Sequence, residues 1–365
     1  MKTRLLTNKC RIKPNKQQED FLLSQLENCD FVYNNLYKQY QQDLKEDLEN
    51  HIVATYKNEY FYKHLEKLIE ENPKLKTTNK HVLVDVYHRL LQSINAKNNV
   101  LTDTTDKHIL RSFKIPKYDF QIINSYFHHN NQRFKLRNFR KFDGKILHAI
   151  ISYKRYEWHI SIVYAINVKQ LPKTGKAIGI DLGIDHFATL SDGRTIDMPD
   201  IEYYNDKIRN CYHKINQTIP GSQNNKRLKI QLQKNFTKKV NIKENFLHQL
   251  SMELVREYDI ICVEMLEIQD ILVNSNVPNK NILENDWQKF IRMLDYKSEF
   301  YMKDLVHIDR YFPSSKRCNV CGYMHQNMPL SVRTWECPSC HTKHNRDVNA
   351  AKNILNEGLR SINKH

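Results

Sequence analysis

The sequence has 365 residues, with 57 Lys and Arg against 41 Asp and Glu and a formal net charge of +16. This length allows two or three domains, and the positive charge favours a polyanionic partner over a small-molecule substrate. No apolar stretch of about eighteen residues and no basic-then-apolar leader is present, so we expect an intracellular protein with no membrane association.

The first half of the sequence predicts strands on either side of a helical region. Residues 2–12 predict one strand and residues 145–166 predict two more, with alternating apolar positions. Between them, residues 21–40 and 82–91 carry apolar side chains at helical spacing. We therefore predict a wedge-like β-barrel built from residues 1–18 and 115–172, with a helical lobe inserted at residues 19–114.

Two stretches of the sequence are basic, with few acidic residues to balance them. Residues 107–158 contain twelve Lys and Arg against three Asp and Glu, and residues 205–243 contain ten against one. A solvated basic surface is the alternative, but this imbalance favours contacts with phosphate groups. The candidate nucleic-acid-binding residues are Arg133, Lys135, Arg137, Arg140, Lys226, Arg227 and Lys229.

Four phenylalanines, Phe127, Phe134, Phe139 and Phe142, are interleaved with the first group of basic residues. Aromatic rings in such a position can stack on unpaired bases. They can equally form the core of the predicted barrel. The sequence leaves both interpretations open.

The second half carries three acidic residues at the ends of predicted elements. Residues 176–193 predict a β-hairpin with Asp181 near the end of its first strand, and residues 258–264 predict a buried strand that ends at Glu264. Further on, Asn345 or Asp347 is predicted to cap a helix. Other predicted elements are helices at 200–217, 224–257 and 285–303 and a strand at 305–309.

A single carboxylate at such a position is more often a turn or cap residue, as we expect for Asp185 and Asp192. The order hairpin Asp, strand Glu and helix Asp, however, is that of the carboxylates in the ribonuclease H fold. Oxygen ligands bind Mg²⁺, and two such ions about 4 Å apart promote phosphodiester hydrolysis. We therefore predict that Asp181, Glu264 and Asp347 hold catalytic Mg²⁺, with two ions expected.

Four cysteines form two C-x-x-C pairs, Cys318 with Cys321 and Cys337 with Cys340, separated by fifteen residues. This spacing is typical of a zinc ribbon, in which two tight turns present four thiolates to one structural Zn²⁺. A disulfide framework is the alternative, but the other four cysteines are scattered through apolar stretches. Three nearby histidines could replace a ligand, although we expect them at the surface or facing substrate: His325, His341 and His344.

The C-terminal motifs resemble those of the TnpB family of transposon-encoded, RNA-guided DNA endonucleases. The similar segments include Phe312 to Gly322, Pro329 to Cys340 and Asn345 to Ile354. Upstream, Gly179-Ile-Asp-Leu-Gly183 is similar to the family's first RuvC motif and Val263-Glu264 to its second. Segments Arg11 to Lys16 and Cys29 to Asn34 are similar to its N-terminal signature.

This resemblance implies a multi-domain α/β protein in which a ribonuclease H-like RuvC domain, residues 173–312 and 345–365, is interrupted by a zinc ribbon at 313–344. It implies guide RNA and target DNA as partners and a nucleoid-associated location in a prokaryote. Two positions depart from the family pattern, Asn345 and Met265. Because neither belongs to the acidic trio, we expect these departures to affect the rate of cleavage more than the reaction itself.

Three other functions are compatible with these motifs. A compact type V CRISPR effector shares the fold and the acidic trio, but this chain lacks an additional large helical lobe. A non-cleaving nucleic-acid-binding regulator would be expected to have lost one of the three acids, and all three are present. A transposase that joins DNA ends would use a similar acidic fold. We interpret the sequence as a metal-dependent endodeoxyribonuclease.

Overall fold

The computed structural model describes residues 3–50, 57–96, 109–167, 170–264, 286–326, 328–329 and 331–362. The chain divides into two compact units, Met1–Asn167 and Val168–His365. Both combine helices and sheets, which confirms the predicted mixed α/β class. The finer domain limits within each unit stay predictions. Met265 lies outside the described residues.

In its described residues, the first unit contains three α-helices and seven strands. Helix α1 begins with a capping box, in which the Asn15 side chain accepts from the amide of Gln18 at 2.8 Å while the Gln18 side chain accepts from the amide of Asn15 at 3.0 Å. The helices are α1 (Lys16–Glu49), α2 (Asn58–Glu71) and α3 (Lys80–Ala96). The strands are β1 (Thr3–Ile12), β2 (Ser112–Pro116), β3 (Gln121–Ile123), β4 (Tyr126–His129), β5 (Gln132–Lys135), β6 (Lys145–Lys154) and β7 (Glu157–Asn167).

The largest sheet of this unit is open, with the antiparallel order β1-β7-β6-β2. Within the described residues, β1 and β2 are its two edges, so the predicted closed barrel is not confirmed. Alternating apolar residues reveal that a strand has a buried face, but not which strand pairs with its edge. Strands β6 and β7 turn through Arg155 and Tyr156, both at positive φ, as a two-residue hairpin requires.

A smaller antiparallel sheet, β3-β4-β5, lies within the first basic stretch. Phe127 and Phe134 face each other across β4 and β5 and are buried in the core of this unit, where Phe139 and Phe142 pack at its edge. The core interpretation is therefore correct for Phe127 and Phe134, whereas Phe139 and Phe142 are partly buried against the same core. Arg133 and Lys135 lie on the exposed positions of β5, one residue away from the buried Phe134.

The second unit is built on a five-stranded sheet with the order β10-β9-β8-β11-β12. Three antiparallel strands are extended by two parallel ones, an arrangement consistent with the predicted ribonuclease H-like fold. The strands are β8 (Ala177–Leu182), β9 (Ala188–Leu190), β10 (Thr195–Ile196), β11 (Ile260–Glu264) and β12 (Asp304–Ile308). The helices are α4 (Glu202–Asn216), α5 (Gln223–Glu257), α6 (Trp287–Tyr301) and α7 (Arg346–Ile362).

Helices cover both faces of this sheet. Helices α5 and α6 contribute Leu250 and Phe290 to a core that includes Ile180 and Val263. On the opposite face, Ile354 of α7 packs with Cys262 and Ile308 in a separate cluster. The central strands are therefore buried on both sides, which explains their continuous apolar sequences.

The predicted ribbon contains one short antiparallel pair, β13 (Thr334–Glu336) with β14 (Lys343–Asn345). Its small core consists of Trp335, Met328 and the buried cysteines Cys318 and Cys337. Asn345 ends β14, and its side chain accepts from the amides of Asp347 and Val348, both at 3.0 Å. The predicted cap of α7 is thus Asn345, and the ribbon leads directly into that helix.

No helix in the described part of the chain is both long and apolar enough to span a membrane.

Candidate active site

The sheet register brings Asp181 and Glu264 to neighbouring positions. Strands β8 and β11 run parallel, and Ile180 pairs with Val263, so the two acids occupy the next position of each strand. Because side chains alternate along a strand, both acids point away from the α5 and α6 side, on which Ile180 and Val263 are buried. They therefore lie on the face that α7 covers.

Helix α7 brings Asp347 to the same end of this face. Gly179 lies two residues before Asp181 and is in contact with the α7 backbone at Ala351. Asp347 lies one turn before Ala351, about 6 Å away along the helix axis, and its charge acts on the Asp181 carboxyl. Strand, neighbouring strand and helix thus present three carboxylates at one end of the sheet.

The electrostatics agree with this proximity. Burial, followed by the charges of Glu264 and Asp347, raises the pKa of Asp181 well above its ordinary value, against the opposing effect of Arg346 and Arg333. Burial also raises the pKa of Glu264 to about 7. Neighbouring carboxylates that are partly buried, as these three are, repel one another, and a divalent cation between them would offset that repulsion. Three carboxylate side chains offer hard oxygen atoms, which is the donor type that Mg²⁺ prefers.

Two side chains of the ribbon region contact the acids. The Ser314 hydroxyl donates to Glu264 Oε2 at 3.1 Å, and this bond lowers the pKa of Glu264 in opposition to burial. The Arg333 guanidinium lies 3.5 Å from Asp347 Oδ1 and also pairs with Asp185. Asp185 therefore forms an ion pair in addition to its position in the turn between β8 and β9. An isolated Ser or Arg in a sequence gives no signal for such contacts.

The four predicted cysteines converge on one point. Their sulfur atoms all lie within 4.8 Å of one another, with Cys318 to Cys340 at 3.7 Å and Cys321 to Cys337 at 3.6 Å. Four thiolates at about 2.3 Å from one tetrahedral Zn²⁺ lie about 3.8 Å apart, so the cluster could hold such an ion. The remaining cysteines are free and buried, as expected: Cys10, Cys29, Cys211 and Cys262.

His344 differs from the expectation that it lies at the surface. It is buried, its ring packs against Trp335 at 4.7 Å, and Nε2 lies 3.1 Å from Cys318 Sγ. The alternation of β14 directs it inward between the exposed Lys343 and Asn345. His341, in contrast, is exposed.

The structure places the seven basic candidates at exposed positions. Arg133 and Lys135 lie on β5. Arg137 follows this strand, and its backbone amide donates to the Arg11 carbonyl of β1 at 2.9 Å. The Arg133 guanidinium stacks 3.7 Å above the Tyr126 ring. Arg140 lies in the segment that follows, and its carbonyl accepts from the Asn8 side chain at 2.6 Å. The others, Lys226, Arg227 and Lys229, lie in the first two turns of α5.

Three protein-family models match the chain. A model described as the Cas12f1-like TNB domain matches residues 287–354, the OrfB/IS605 probable transposase model matches 161–274, and a helix-turn-helix domain model matches 1–49. Over this last range the structure describes strand β1 and the single helix α1. The matched ranges include all three acids and all four clustered cysteines.

The curated relatives carry consistent names. The chain is 36% identical over 203 residues to a "Putative RNA-guided DNA endonuclease" of Streptomyces pristinaespiralis, covering 55% of this chain and 50% of the relative. It is 25% identical over 240 residues to the "Putative RNA-guided DNA endonuclease InsQ" of Escherichia coli, covering 61% of this chain and 60% of that relative. It is 30% identical over 211 residues to TnpB-like protein L79 of Acanthamoeba polyphaga mimivirus, covering 54% and 39%. The chain thus spans about half the length of these relatives.

The fold is shared with a solved protein. The chain superposes on Cas12f1 from a complex with sgRNA and target DNA with a TM-score of 0.58 at 13% identity, covering 93% of this chain and 83% of that one. The chain is therefore a multi-domain α/β protein with a fold similar to that of Cas12f1. The chain is a relative of the TnpB-like proteins, which confirms the resemblance of its motifs.

Proposed function

We propose that this protein is an RNA-guided DNA endonuclease encoded by a transposon, which cleaves target DNA beside a short adjacent motif. Two observations support the proposal: Asp181 and Glu264 follow the paired residues Ile180 and Val263 on neighbouring parallel strands, and the charges of Glu264 and Asp347 both act on Asp181. The names of the curated relatives support the guided mechanism.

In this proposal, the three carboxylates are the ligands of two Mg²⁺ ions. When bound, these ions supply charge stabilisation for the attacking and leaving oxygens of phosphodiester hydrolysis. The protein's own contribution is positional. The backbones of β8 and β11 fix two carboxylates, α7 fixes the third, Ser314 orients Glu264, and Arg333 orients Asp347. A rigid arrangement of this kind is what catalytic geometry requires.

We propose that the four-cysteine cluster binds one structural Zn²⁺. The sulfur separations of 3.6 and 3.7 Å support this assignment. A small ribbon with a core of only a few side chains gains much of its stability from such an ion. Zinc would therefore fix the ribbon at the start of α7, where Asp347 lies.

Guide RNA and target DNA are the proposed partners. The exposed basic residues of β5 and the segment after it, and those at the start of α5, would contact phosphate groups without reading sequence. Sequence would be read by base pairing, and the protein would recognise the heteroduplex by its shape. The wedge-like and helical parts of the first unit are proposed to grip the RNA, the heteroduplex and the adjacent motif.

The test uses the full-length protein with the RNA that copurifies with it. That RNA is sequenced, and DNA duplexes are prepared that differ only in complementarity to it or in the bases beside the target. We expect Mg²⁺-dependent cleavage of the matched duplex alone. Equal cleavage of matched and unmatched duplexes would eliminate guidance while leaving a nuclease.

A compact type V CRISPR effector is the second candidate, favoured by the fold shared with Cas12f1. The same sequencing experiment separates the two. RNA transcribed from the flank of a transposon supports the first candidate, whereas RNA carrying a CRISPR repeat supports the second.

A further inference from the structure

Residues 314–319, which we call the linker segment, connect the two proposed metal sites. At one end, the Ser314 hydroxyl donates to Glu264 Oε2 at 3.1 Å. Four residues later, Cys318 belongs to the cysteine cluster, 3.7 Å from Cys340. A short stretch of chain thus contacts a carboxylate of the acidic site and supplies one thiolate of the cysteine cluster.

Helix α7 holds this segment through two buried asparagines. The Asn353 side-chain amide donates to the carbonyls of Ser314 at 2.8 Å and Arg317 at 2.6 Å. One turn earlier, the Asn349 amide donates to the Arg317 carbonyl at 2.8 Å, and its oxygen accepts from the amide of Asn319 at 3.0 Å. Four hydrogen bonds therefore join the linker segment to the helix that carries Asp347.

The chemistry of these two positions indicates a specific role. Asparagine is a poor residue for a helix interior and is seldom buried, yet Asn349 and Asn353 are only 1% and 3% exposed. An apolar side chain would fill the same space and favour the helix more. A side-chain donor, however, is needed to satisfy the carbonyls of Ser314 and Arg317, and at Asn349 an acceptor is needed as well for the amide of Asn319.

We propose that Ser314, Asn349 and Asn353 are positioning residues that couple occupancy of the cysteine cluster to metal affinity at the acidic site. With the cluster occupied, Cys318 fixes the linker segment, the asparagines hold it against α7, and Ser314 holds Glu264. Without it, the segment loosens and Glu264 loses its hydrogen-bonded orientation. This inference rests on the proposed function, because it takes the acidic trio as a divalent-metal site.

The first test measures Mn²⁺ affinity by titration calorimetry on the full-length protein, before and after zinc is removed with a thiol-reactive reagent and a chelator. Mn²⁺ is the probe because it accepts the same oxygen ligands as Mg²⁺. Loss of a side chain that orients a metal ligand costs about 10- to 100-fold in affinity. We expect zinc removal to weaken Mn²⁺ binding in the unmodified protein by an amount in this range.

Ser314 variants test the path of the coupling. Ser314→Ala should bind Mn²⁺ about 10-fold or more weakly while retaining its zinc, and removal of zinc should then change the affinity little. Ser314→Thr keeps the hydroxyl donor and should retain both the affinity and its dependence on zinc. Two results would overturn the proposal. One is a Mn²⁺ affinity that is equally weak in Ser314→Thr and Ser314→Ala, and the other is a Mn²⁺ affinity of Ser314→Ala that still falls when zinc is removed.

Asn353→Ala should weaken Mn²⁺ binding to a similar extent. Asn356→Ala is the matched control, because it makes the same change at an exposed position of the same helix and should leave the affinity unchanged. Circular dichroism establishes that each variant is folded. Equal Mn²⁺ affinities in Asn353→Ala, Asn356→Ala and the unmodified protein would contradict a positioning role.

Asp347→Ala separates this proposal from the proposed function. If Asp347→Ala binds Mn²⁺ as tightly as the unmodified protein, the acidic trio is not the metal site, and the proposed function fails together with the inference. If Asp347→Ala loses Mn²⁺ binding, the acidic trio is the metal site. If, in addition, neither zinc removal nor the Ser314 and Asn353 substitutions change the Mn²⁺ affinity of an otherwise unmodified protein, only the inference is overturned.

Discussion

Gly179 of β8 lies so close to Ala351 of α7 that a methyl group at Gly179 would overlap the Ala351 carbonyl oxygen. The absence of a side chain is therefore what allows α7 to pack directly on the strand that carries Asp181. This close approach fixes the separation between strand and helix, and with it the separation between Asp181 and Asp347.

Gly179→Ala should consequently displace α7. Because the overlap is with backbone atoms, no side-chain rotation can relieve it, and we expect a loss of about 3 kcal/mol or more in unfolding free energy. Divalent-metal affinity should fall as well. Gly221→Ala is the control: Gly221 has φ +81 but open space around its Cβ position, so only a backbone cost of about 1 kcal/mol is expected. Equal stability losses measured by urea unfolding would contradict this account.

Removal of one clustered thiol should release zinc. We expect about one Zn²⁺ per chain by elemental analysis, and its loss in Cys318→Ser or Cys337→Ser. Hydrogen exchange should accelerate mainly in residues 313–345, because the sheet of the second unit has its own core. Cys211→Ser is the matched control, since Cys211 is buried outside the cluster. Unmodified protein that contains no zinc after purification under reducing conditions would refute the assignment.

The basic residues of the first unit should contribute to the salt dependence of nucleic-acid binding. Replacement of Arg133, Lys135, Arg137 and Arg140 by Gln should weaken binding and reduce the slope of log K against log salt by up to about 0.7 to 0.9 for each phosphate group that the variant no longer neutralises. The same change at Lys173, Lys176, Lys352 and Arg360, which are exposed in the second unit outside the proposed contacts, alters net charge equally and should have a smaller effect. Equal slopes in both variants would indicate a general charge effect.

Asp259 and Lys303 form a pair that makes stability depend on pH. Lys303 is nearly buried and donates to Asp259, which also accepts from the amides of Thr174 and Gly175 at 2.8 and 2.6 Å. The hydrogen bond from Lys303, together with these amides, lowers the pKa of Asp259 from 3.8 to about 2. A lowered carboxyl pKa stabilises the folded state above pH 3.8, and this contribution is lost as the pH falls toward about 2.

Lys303→Met should therefore lower the unfolding free energy by about 1.5 to 3 kcal/mol at neutral pH, which is the usual contribution of a hydrogen bond to a charged group. The variant should also lose less stability on acidification, because the pKa of Asp259 moves back toward its ordinary value. Lys176→Met removes an exposed lysine 4.0 Å from Glu257 and should change stability by less than about 0.5 kcal/mol. Urea unfolding of the two variants and the unmodified protein, between neutral pH and the acidic range in which Asp259 titrates, measures these unfolding free energies.

Local patterns predicted the elements that carry the candidate site. The Asp181 hairpin, the buried strand before Glu264 and the helix capped by Asn345 all occur in the structure. Each depends on residues close together in the sequence, namely an apolar run, a turn and a cap. The cysteine cluster was equally predictable, because two C-x-x-C pairs define their own local geometry.

Features that depend on distant contacts were not predictable in this way. In the described residues, the four-stranded sheet of the first unit is open, with β1 and β2 at its two edges. Whether two edge strands pair to close a barrel depends on the whole fold and not on the sequence of either strand. The burial of His344 depends on how β14 packs against Trp335 and Cys318 inside the ribbon, and the contact between Arg333 and Asp347 depends on how the ribbon meets α7. Ser314 gave no signal because its hydroxyl meets Glu264 across fifty residues of sequence.

Cleavage by variants of the acidic trio tests the central claim most directly. Asp181→Asn, Glu264→Gln and Asp347→Asn each keep side-chain size while removing a charge, so RNA binding should persist. Mg²⁺-dependent cleavage of a guide-matched duplex should fall by about 10²- to 10³-fold, the effect of losing one electrostatic stabiliser of a transition state. Asp192→Asn, in the turn after β9, is the control and should cleave normally. Substantial cleavage by any of the three trio variants would contradict the assignment.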